Sequence, residues 1–441
     1  MSTQSLLARL DQVQPTIHIR DMHYRGKQPL RYTVSKVDPA VMGYRANLAK
    51  VAVNALAERM RIHDVTATVK GRDVTERARR LVRDSDFPMT LQSILVDMLA
   101  VGSAYLIVWT DLTGRPVVTG ESAEQVIVER HPVTRAVTAA VKRWEVHDEM
   151  GRLISEHVIK YLPYKVIHLR RDIVETELKV VEVVDNPLGV VPVVPLVNVE
   201  RIHDDVGYSV VDDLAPLVDA LNKIMVDMLT ASEAVARPKR YATGVELDDK
   251  DTAWTADEYD EYDEGFNADD PVDNDAGADS ADDVDDEHVQ APFKDSDDMW
   301  ITEQAEAKFG QLAGADLNGY RTAVDLIIQQ IMAITALPAH MVGITTANPS
   351  TAEALRASEI ALADKASSRI RVVNRPVEWA LRLLVAVDAG VTPDEVTVDV
   401  KWADTATRSH AQDADAAAKL TGAAITTTDE ARDMLGTGKE L

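Results

Sequence analysis

Leu337-Pro338-Ala339-His340-Met341-Val342-Gly343-Ile344-Thr345-Thr346-Ala347-Asn348-Pro349-Ser350 interrupts two long helical patterns, and the stretch from Asp316 to Val387 that contains it organises the rest of the chain. Before the loop, Leu317, Tyr320, Val324, Ile327, Ile331 and Ile334 recur at three- and four-residue steps, which is one apolar stripe along a helix. Pro338 has no N–H to donate and pushes its predecessor toward extended geometry, so this helix is predicted to end near Leu337. After the loop, Ser350 and Glu353 form an S-x-x-E capping box that starts a second helix at Thr351. That helix is predicted to reach Val387, about 37 residues or roughly 55 Å, with a kink at Pro376. Its face of Leu355, Leu362, Ala366, Ile370, Val373 and Val377 needs neighbours along its whole length. A large helical core in a single chain and a second copy of the chain would both supply them.

Length and charge set the bounds around this centre. A chain of 441 residues has room for two or three domains, each with its own core. No cysteine is present, which excludes disulfides and thiolate chemistry and fits a reducing cytoplasm. The first 30 residues hold no signal-type apolar run, and no 18-residue uncharged apolar run occurs, so a soluble protein without a membrane partner is expected. The net charge is −26, and its location matters more than its size: between Glu246 and Asp298 stand 23 acidic residues against Lys250 and Lys294, so 21 of the 26 excess charges lie there. With few branched apolar residues, this tract reads as a solvated or disordered insertion. The chain as a whole lacks the basic footprint needed to grip duplex DNA tightly. Its most basic helix, with Arg77, Arg79, Arg80 and Arg83, reads first as a solvated face or an inter-subunit salt-bridge surface, and less readily as a nucleic-acid site.

Outward from the centre, helices are expected over Ser2 to Leu10, Pro39 to Met60, Val74 to Arg83 and Pro88 to Val101, the last ended by Gly102. The period then changes to two, with strands at Ala104–Trp109, Gln125–Arg130, Ala136–Val146, Leu153–Tyr161, Lys165–Arg170 and Glu177–Val184. This reads as one antiparallel module between helical flanks, hence α+β, closed by the proline-stiffened run Val190 to Asn198. A helix opened by Ser209, Asp212 and Asp213 runs out until just before Pro238, and the helix from Asp316 returns, making a hairpin that carries residues 238 to 315. The tail holds a strand at Val396–Trp402 and small helices at Ala411–Leu420 and Thr428–Leu435.

Certain runs carry a more specific signal: Asn186-Pro187-Leu188-Gly189 through Asn198, Gly207-Tyr208-Ser209, Asp219 through Lys223, Ser232-Glu233, Thr243-Gly244, Leu337 through His340, Asn348 through Ala354, and Glu359 through Lys365. With Tyr24-Arg25-Gly26 and the helix of Asn47 to Arg59, they resemble the bacteriophage portal proteins of the SPP1-like class, particularly those of actinobacterial phages. The resemblance covers nearly the whole chain, leaving the acidic tract outside. It implies a portal fold with a wing at 1–208, an outgoing stem helix at 209–237 and a clip at 238–315 that carries the acidic insertion about 246–298. A returning stem helix at 316–337, a tunnel loop at 338–350, a long kinked wing helix at 351–388 and a C-terminal strand with small crown helices at 389–441 complete it. It also implies a ring, usually dodecameric, at one capsid vertex, through which double-stranded DNA is packaged and ejected. The implied partners are further copies of the chain, non-specifically held DNA, the terminase large subunit, a head–tail adaptor, and the major capsid and scaffolding proteins. On that picture His340, Thr345, Thr346 and Asn348 line the narrowest point of the channel and touch DNA through weak polar contacts, the other reading being that the loop packs on the next subunit. A mainly acidic wall would let phosphates slide rather than stick.

No enzyme is expected. The phosphate-binding pattern G-x-x-x-x-G-K-[ST] is missing, since Gly436-Thr437-Gly438-Lys439 lacks the following Ser or Thr, so the energy of packaging must come from a separate ATPase. Asp273-Asn274-Asp275 with Gly277 resembles part of a calcium loop, but the glycine is one position early and the closing Glu is absent. No catalytic residue, cofactor or metal ligand is therefore assigned. The alternatives are another ring-forming head–tail connector, which would be much shorter, and a metal-dependent hydrolase built on clustered carboxylates.

Overall fold

The computed structural model describes residues 2–30, 43–111, 113–175, 177–202, 207–236, 240–243, 306–311, 317–344, 351–406, 410–423, 425–428 and 431. The chain separates into two units, Met1–Thr230 with Leu317–Leu441, and Ala231–Asp316.

The first unit is a mixture of helices and antiparallel sheets, the α+β class expected. It begins with α1 (Thr3–Arg25), capped by the Ser2 hydroxyl and closed by left-handed Gly26. This helix is more than twice as long as its apolar pattern suggested, and it runs through Pro15. Burial of Leu6, Leu10 and Ile17 compensates for the one donor that proline removes. Next come α2 (Leu48–Ala57), α3 (Thr75–Asp84) and α4 (Phe87–Val101). Of the helix expected over Pro39 to Met60, residues 39–42 lie outside the described residues and 43–47 are not helical; the described helix starts at Leu48, where the Asn47 side chain accepts from the Lys50 N–H.

The strands form three sheets in this unit rather than one module. β5 (Val126–Arg130), β6 (Val137–His147), β7 (Leu153–Tyr161), β8 (Lys165–Asp172) and β9 (Lys179–Asp185) make a five-stranded meander in chain order. β10 (Val193–Val197) leaves the meander and pairs with β3 (Ser103–Thr110), whose other neighbour is β4 (Pro116–Ser122). The run Val190 to Asn198 thus closes a different sheet from the one expected. Sequence reading also missed a sheet in which β1 (Ile62–Val69) lies between β2 (Arg72–Asp73) and β13 (Val396–Trp402).

α5 (Val210–Ala236) is long, with Val211, Leu214, Val218, Leu221 and Val226 buried. Its start is fixed by a dense junction. The Ser209 hydroxyl accepts from the Val211 N–H at 2.9 Å while the Asp212 carboxylate accepts from the Ser209 N–H at 3.1 Å, a reciprocal cap. Arg20 of α1 donates to both Asp212 oxygens at 2.8 and 2.7 Å and to the Val101 carbonyl at 2.6 Å. Asn198 donates through its side chain to the Tyr208 carbonyl at 2.7 Å and through its N–H to the Gly102 carbonyl at 2.9 Å. Farther along α5, buried Asp219 meets buried His23 at 3.2 Å, and Asn222 accepts the Ala46 N–H at 2.7 Å.

α6 (Asn318–Thr335) and α7 (Ala352–Ala389) follow, and α7 is continuous through Pro376. Much of α7 is sunk in the core: Leu362, Ala366, Val373, Val377, Ala380 and Leu384 have no exposed surface, and the helix packs on α2, β3, β10 and β13. The chain's own core therefore supplies the neighbours of its C-terminal half. α8 (His410–Gly422) matches the first small helix expected in the tail, while most of the second lies outside the described residues. No helix among the described residues is long and apolar enough to cross a membrane.

The second unit contributes a short ribbon in which β11 (Arg240–Thr243) pairs antiparallel with β12 (Lys308–Gln311), so the chain returns beside its point of departure. The acidic tract between them, with Asp273 and Asp275, lies outside the described residues.

One carboxyl of the first unit gives a pH-dependent expectation. Burial raises Asp97 to about 6; the Ser122 hydroxyl opposes the shift, and Glu124 and Asp21 add to it. An unfolded aspartate titrates near 3.9, so the native state binds this proton more tightly and stability declines as pH rises from about 4 to about 6. Above that range the full penalty, up to about 3 kcal/mol, is present. Asp97→Asn should therefore stabilise the fold by roughly 1–3 kcal/mol near neutral pH and by much less near pH 4. Urea unfolding of both proteins at the two pH values checks this, and an equal gain at both would point to another cause.

Candidate functional site

The loop between α6 and α7 is held at both ends. α6 stops at Thr335, whose hydroxyl donates to the Ile331 carbonyl at 2.7 Å and accepts from the Leu337 N–H at 3.3 Å. Ala336 then turns left-handed at φ 60°, a conformation more usual for glycine. The helix thus ends at Thr335, three residues before Pro338, because the residue that precedes a proline is disfavoured in helical geometry and the left-handed turn at Ala336 comes first. Lys365 of α7 donates to the Ile334 carbonyl at 2.8 Å, which satisfies one of the last acceptors of α6. Burial, with the Arg369 guanidinium nearby, lowers the Lys365 ammonium from its usual range, while Glu200 and Asp213 work against that. Arg369 is itself ion-paired to Glu200.

Beyond Pro338 the chain makes one tight turn, Ala339–Val342, ended by Gly343 at φ 80°. Leu337 is buried, and Met341 and Val342 pack against the main core. His340 does not stand alone. Its Nε2 lies 3.3 Å from the Glu359 carboxylate, whose other oxygen accepts from Arg59 at 2.8 Å, and Arg59 also donates to the Thr405 carbonyl at 2.9 Å. The loop entrance is thereby tied to α7, to the residues just after α2 and to the tail after β13. The His340 side chain keeps 38% of its surface exposed. Of the other residues expected at the channel, Thr345, Thr346 and Asn348 lie outside the described residues.

The start of α7 corrects the expected cap. Thr351, not Ser350, is the N-cap, its hydroxyl accepting from the Ala354 N–H at 3.2 Å. Either hydroxyl can serve, and the frame with Glu353 at the third helical position is not the one adopted.

The basic helix α3 is tied to the rest of the first unit by ion pairs at its surface. Arg79 grips both oxygens of Asp64 at 2.8 Å and reaches Glu76 at 2.8 Å, Arg77 pairs with Asp388, and Arg80 donates to the Glu76 carbonyl at 3.3 Å. Two of the four arginines, Arg77 and Arg79, therefore join this helix to other elements of the fold. Among the described residues no three His, Asp or Glu gather in a way that could hold a metal ion.

Comparison with known proteins places this architecture. The family model described as "Phage portal protein, SPP1 Gp6-like" matches residues 11–435. The chain is similar to the portal protein of Mycobacterium phage L5, 28% identical over 246 residues that make up 54% of this chain and 43% of that one. It is similar to the portal protein of Mycobacterium phage D29 as well, 28% identical over 242 residues, 53% of this chain and 43% of that one. The chain thus spans 43% of the length of each of these relatives. In structure it is similar to a chain of the neck of an empty gene transfer agent (GTA) particle, at 14% identity and a TM-score of 0.49, covering 96% of this chain and 93% of that one. A chain from the virion of the native gene transfer agent particle gives 13% identity and a TM-score of 0.48 with the same coverage. A match running from residue 11 to residue 435 leaves almost none of the chain outside it, and the protein belongs to the SPP1 Gp6-like family of phage portal proteins.

Proposed function

We propose that this chain forms a closed ring at one vertex of a phage capsid and that double-stranded DNA passes through the ring during packaging and ejection. The observation that carries this reading is the family match over residues 11–435. The exposed apolar side chains on the two helices beside the loop support it. Leu326 and Ile334 on α6 and Leu355 and Ile360 on α7 are 57, 41, 38 and 59% exposed, a run that a neighbouring copy would cover.

In this reading α5 and α6 are the two stem helices, Ala231–Asp316 includes the clip, the sheets and α1 to α4 form the wing with α7, and α8 belongs to the crown. The loop of 338–350 faces the channel, with His340 braced by Glu359 and with Thr345, Thr346 and Asn348 offering polar, sequence-independent contacts to phosphates. The ring is a dodecamer. The terminase large subunit docks on it during packaging, a head–tail adaptor replaces the terminase afterwards, and capsid and scaffolding proteins surround the wing. The chain itself turns nothing over.

Purified protein is expected to give rings in negative-stain images, with a mass near twelve subunits. In particles carrying alanine at His340, Thr345, Thr346 and Asn348 together, rings should persist while packaged DNA leaks or falls short. Normal packaging and normal retention in those particles would remove the loop from the channel, and a purified chain that stays monomeric would remove the ring.

A further inference from the structure

A ring requires each copy to present two different surfaces, because a rotation that closes on itself joins one patch to another. The first unit carries two patches of that kind. One is β9, the outer strand of the meander, whose far backbone edge faces no other strand among the described residues. Its Val180, Val181 and Val183 are 60, 65 and 51% exposed, and the turn before it exposes Ile173 and Val174. A long apolar edge left open is a template for another chain. Glu177, Glu182 and Asp185 line this edge, and none has an ion-pair partner among the described residues.

The other patch is a groove of about 840 Å³ between α7, β10 and the turn joining β5 to β6. Its apolar lining includes Val194, Pro195 and Trp379, and its charge comes from arginines, among them Arg375 and Arg382. The Arg382 guanidinium lies over the Trp379 ring at 5.6 Å, and its Nε is buried with no hydrogen-bond partner. Arg375 is exposed and has no ion-pair partner among the described residues. Glu378 is the one carboxylate in the lining, and it already accepts from Asn374 at 2.7 Å. A groove whose charge is carried by arginines in this way offers a docking place for carboxylates. Tryptophan and arginine beside apolar side chains are also what protein interfaces select.

The groove borders the end of β5, the strand at the opposite edge of the same meander from β9. Five strands set the two patches about 19 Å apart, so one contact between copies leaves a free patch on each and propagates head to tail. Resting on the ring reading above, we propose that the β9 edge of one copy, with Glu177, Val181 and Glu182 foremost, docks in the Arg375–Trp379–Arg382 groove of the next copy. Carboxylates would then meet the unpaired guanidiniums, and valines would cover the indole.

Charge reversal in two separate proteins tests this. Arg375→Glu with Arg382→Glu, and Glu177→Lys with Glu182→Lys, should each raise the concentration needed for rings by about a hundredfold. An equimolar mixture should assemble like the wild type, because alternating copies restore opposite charges at every contact, and a single chain with all four changes should assemble alone. Mass photometry and negative-stain images read the rings, and circular dichroism verifies that each variant is folded. Rings from both reversed proteins alone, or folded variants whose mixture stays dispersed, would overturn the docking and leave the ring reading intact. In the second case the groove belongs to another partner. A wild-type chain that never forms rings would overturn both.

Discussion

Gly207→Ala is expected to cost more than about 4 kcal/mol, enough to leave little folded protein. Gly207 sits at φ +86° and Gly102 opposite it at φ +105°, a region where a side chain adds strain. Space forbids the substitution as well: a Cβ on Gly207 would lie 2.0 Å from the Gly102 carbonyl oxygen and 2.6 Å from its carbon. Both neighbours are backbone, so no side chain can rotate away. Either the end of α4 or the start of α5 must shift, and a shift at either place strains the hydrogen bonds that Asn198 makes to both glycine-flanked segments. Gly114→Ala is the control, since that glycine has φ +81° with open space around it and should cost only about 1 kcal/mol. Guanidinium unfolding of the two variants decides the matter, and equal midpoints would mean that the close approach has no energetic weight.

Arg20→Ala should be the next most damaging change, at about 3 kcal/mol. The Arg20 side chain is 11% exposed and donates to Asp212 through two nitrogens and to the Val101 carbonyl through the third. Truncation leaves a carboxylate at the first turn of α5 facing a void, together with a carbonyl that has lost its donor. Asp212 is 33% exposed, so water recovers part of the loss and holds the cost at the lower end for a broken buried pair. A double-mutant cycle with Asp212→Asn should show coupling of about 1–3 kcal/mol. Hydrogen exchange adds a local reading: amides at the start of α5 should exchange faster in Arg20→Ala, whereas those of β13 should change only as far as global stability falls. Uniform acceleration across the first unit would contradict a role at this junction.

The junction also shows how much was legible beforehand. Ser209, Asp212 and Asp213 announced the start of α5, because capping chemistry is local and written in adjacent residues. The apolar stripe of α6 and the composition of α7 were local in the same way. Gly102 was read as a helix stop, but its second duty, leaving room for Gly207, depends on a contact between segments far apart in sequence. The role of Arg20 was invisible for the same reason. Sheet membership suffered most. β3 and β10 are nearly buried throughout while β9 is exposed at every residue but Val184, yet each reads as a short β-branched run whose period does not name its partner. β1 alternates polar and apolar residues correctly but lies between helices, and its partner β13 belongs to the far end of the chain. In the loop, His340 was named as a polar residue of the tunnel loop that the family resemblance implies. The brace that Glu359 and Arg59 provide arises only after α2 and α7 are brought together.

The distance in sequence across that brace sets a schedule for synthesis. Arg59 donates to the carbonyl of Thr405, 346 residues downstream, and the β1–β13 pairing spans nearly as much chain. At 5–20 residues per second a ribosome needs about 20 to 70 s to travel that far. Throughout this interval β1 has its short hairpin with β2 and no partner on its other side, and α2 and α3 lack the cover that α7 brings. The core therefore closes only after β13 has been made, and the waiting N-terminal portion is a natural client for chaperones.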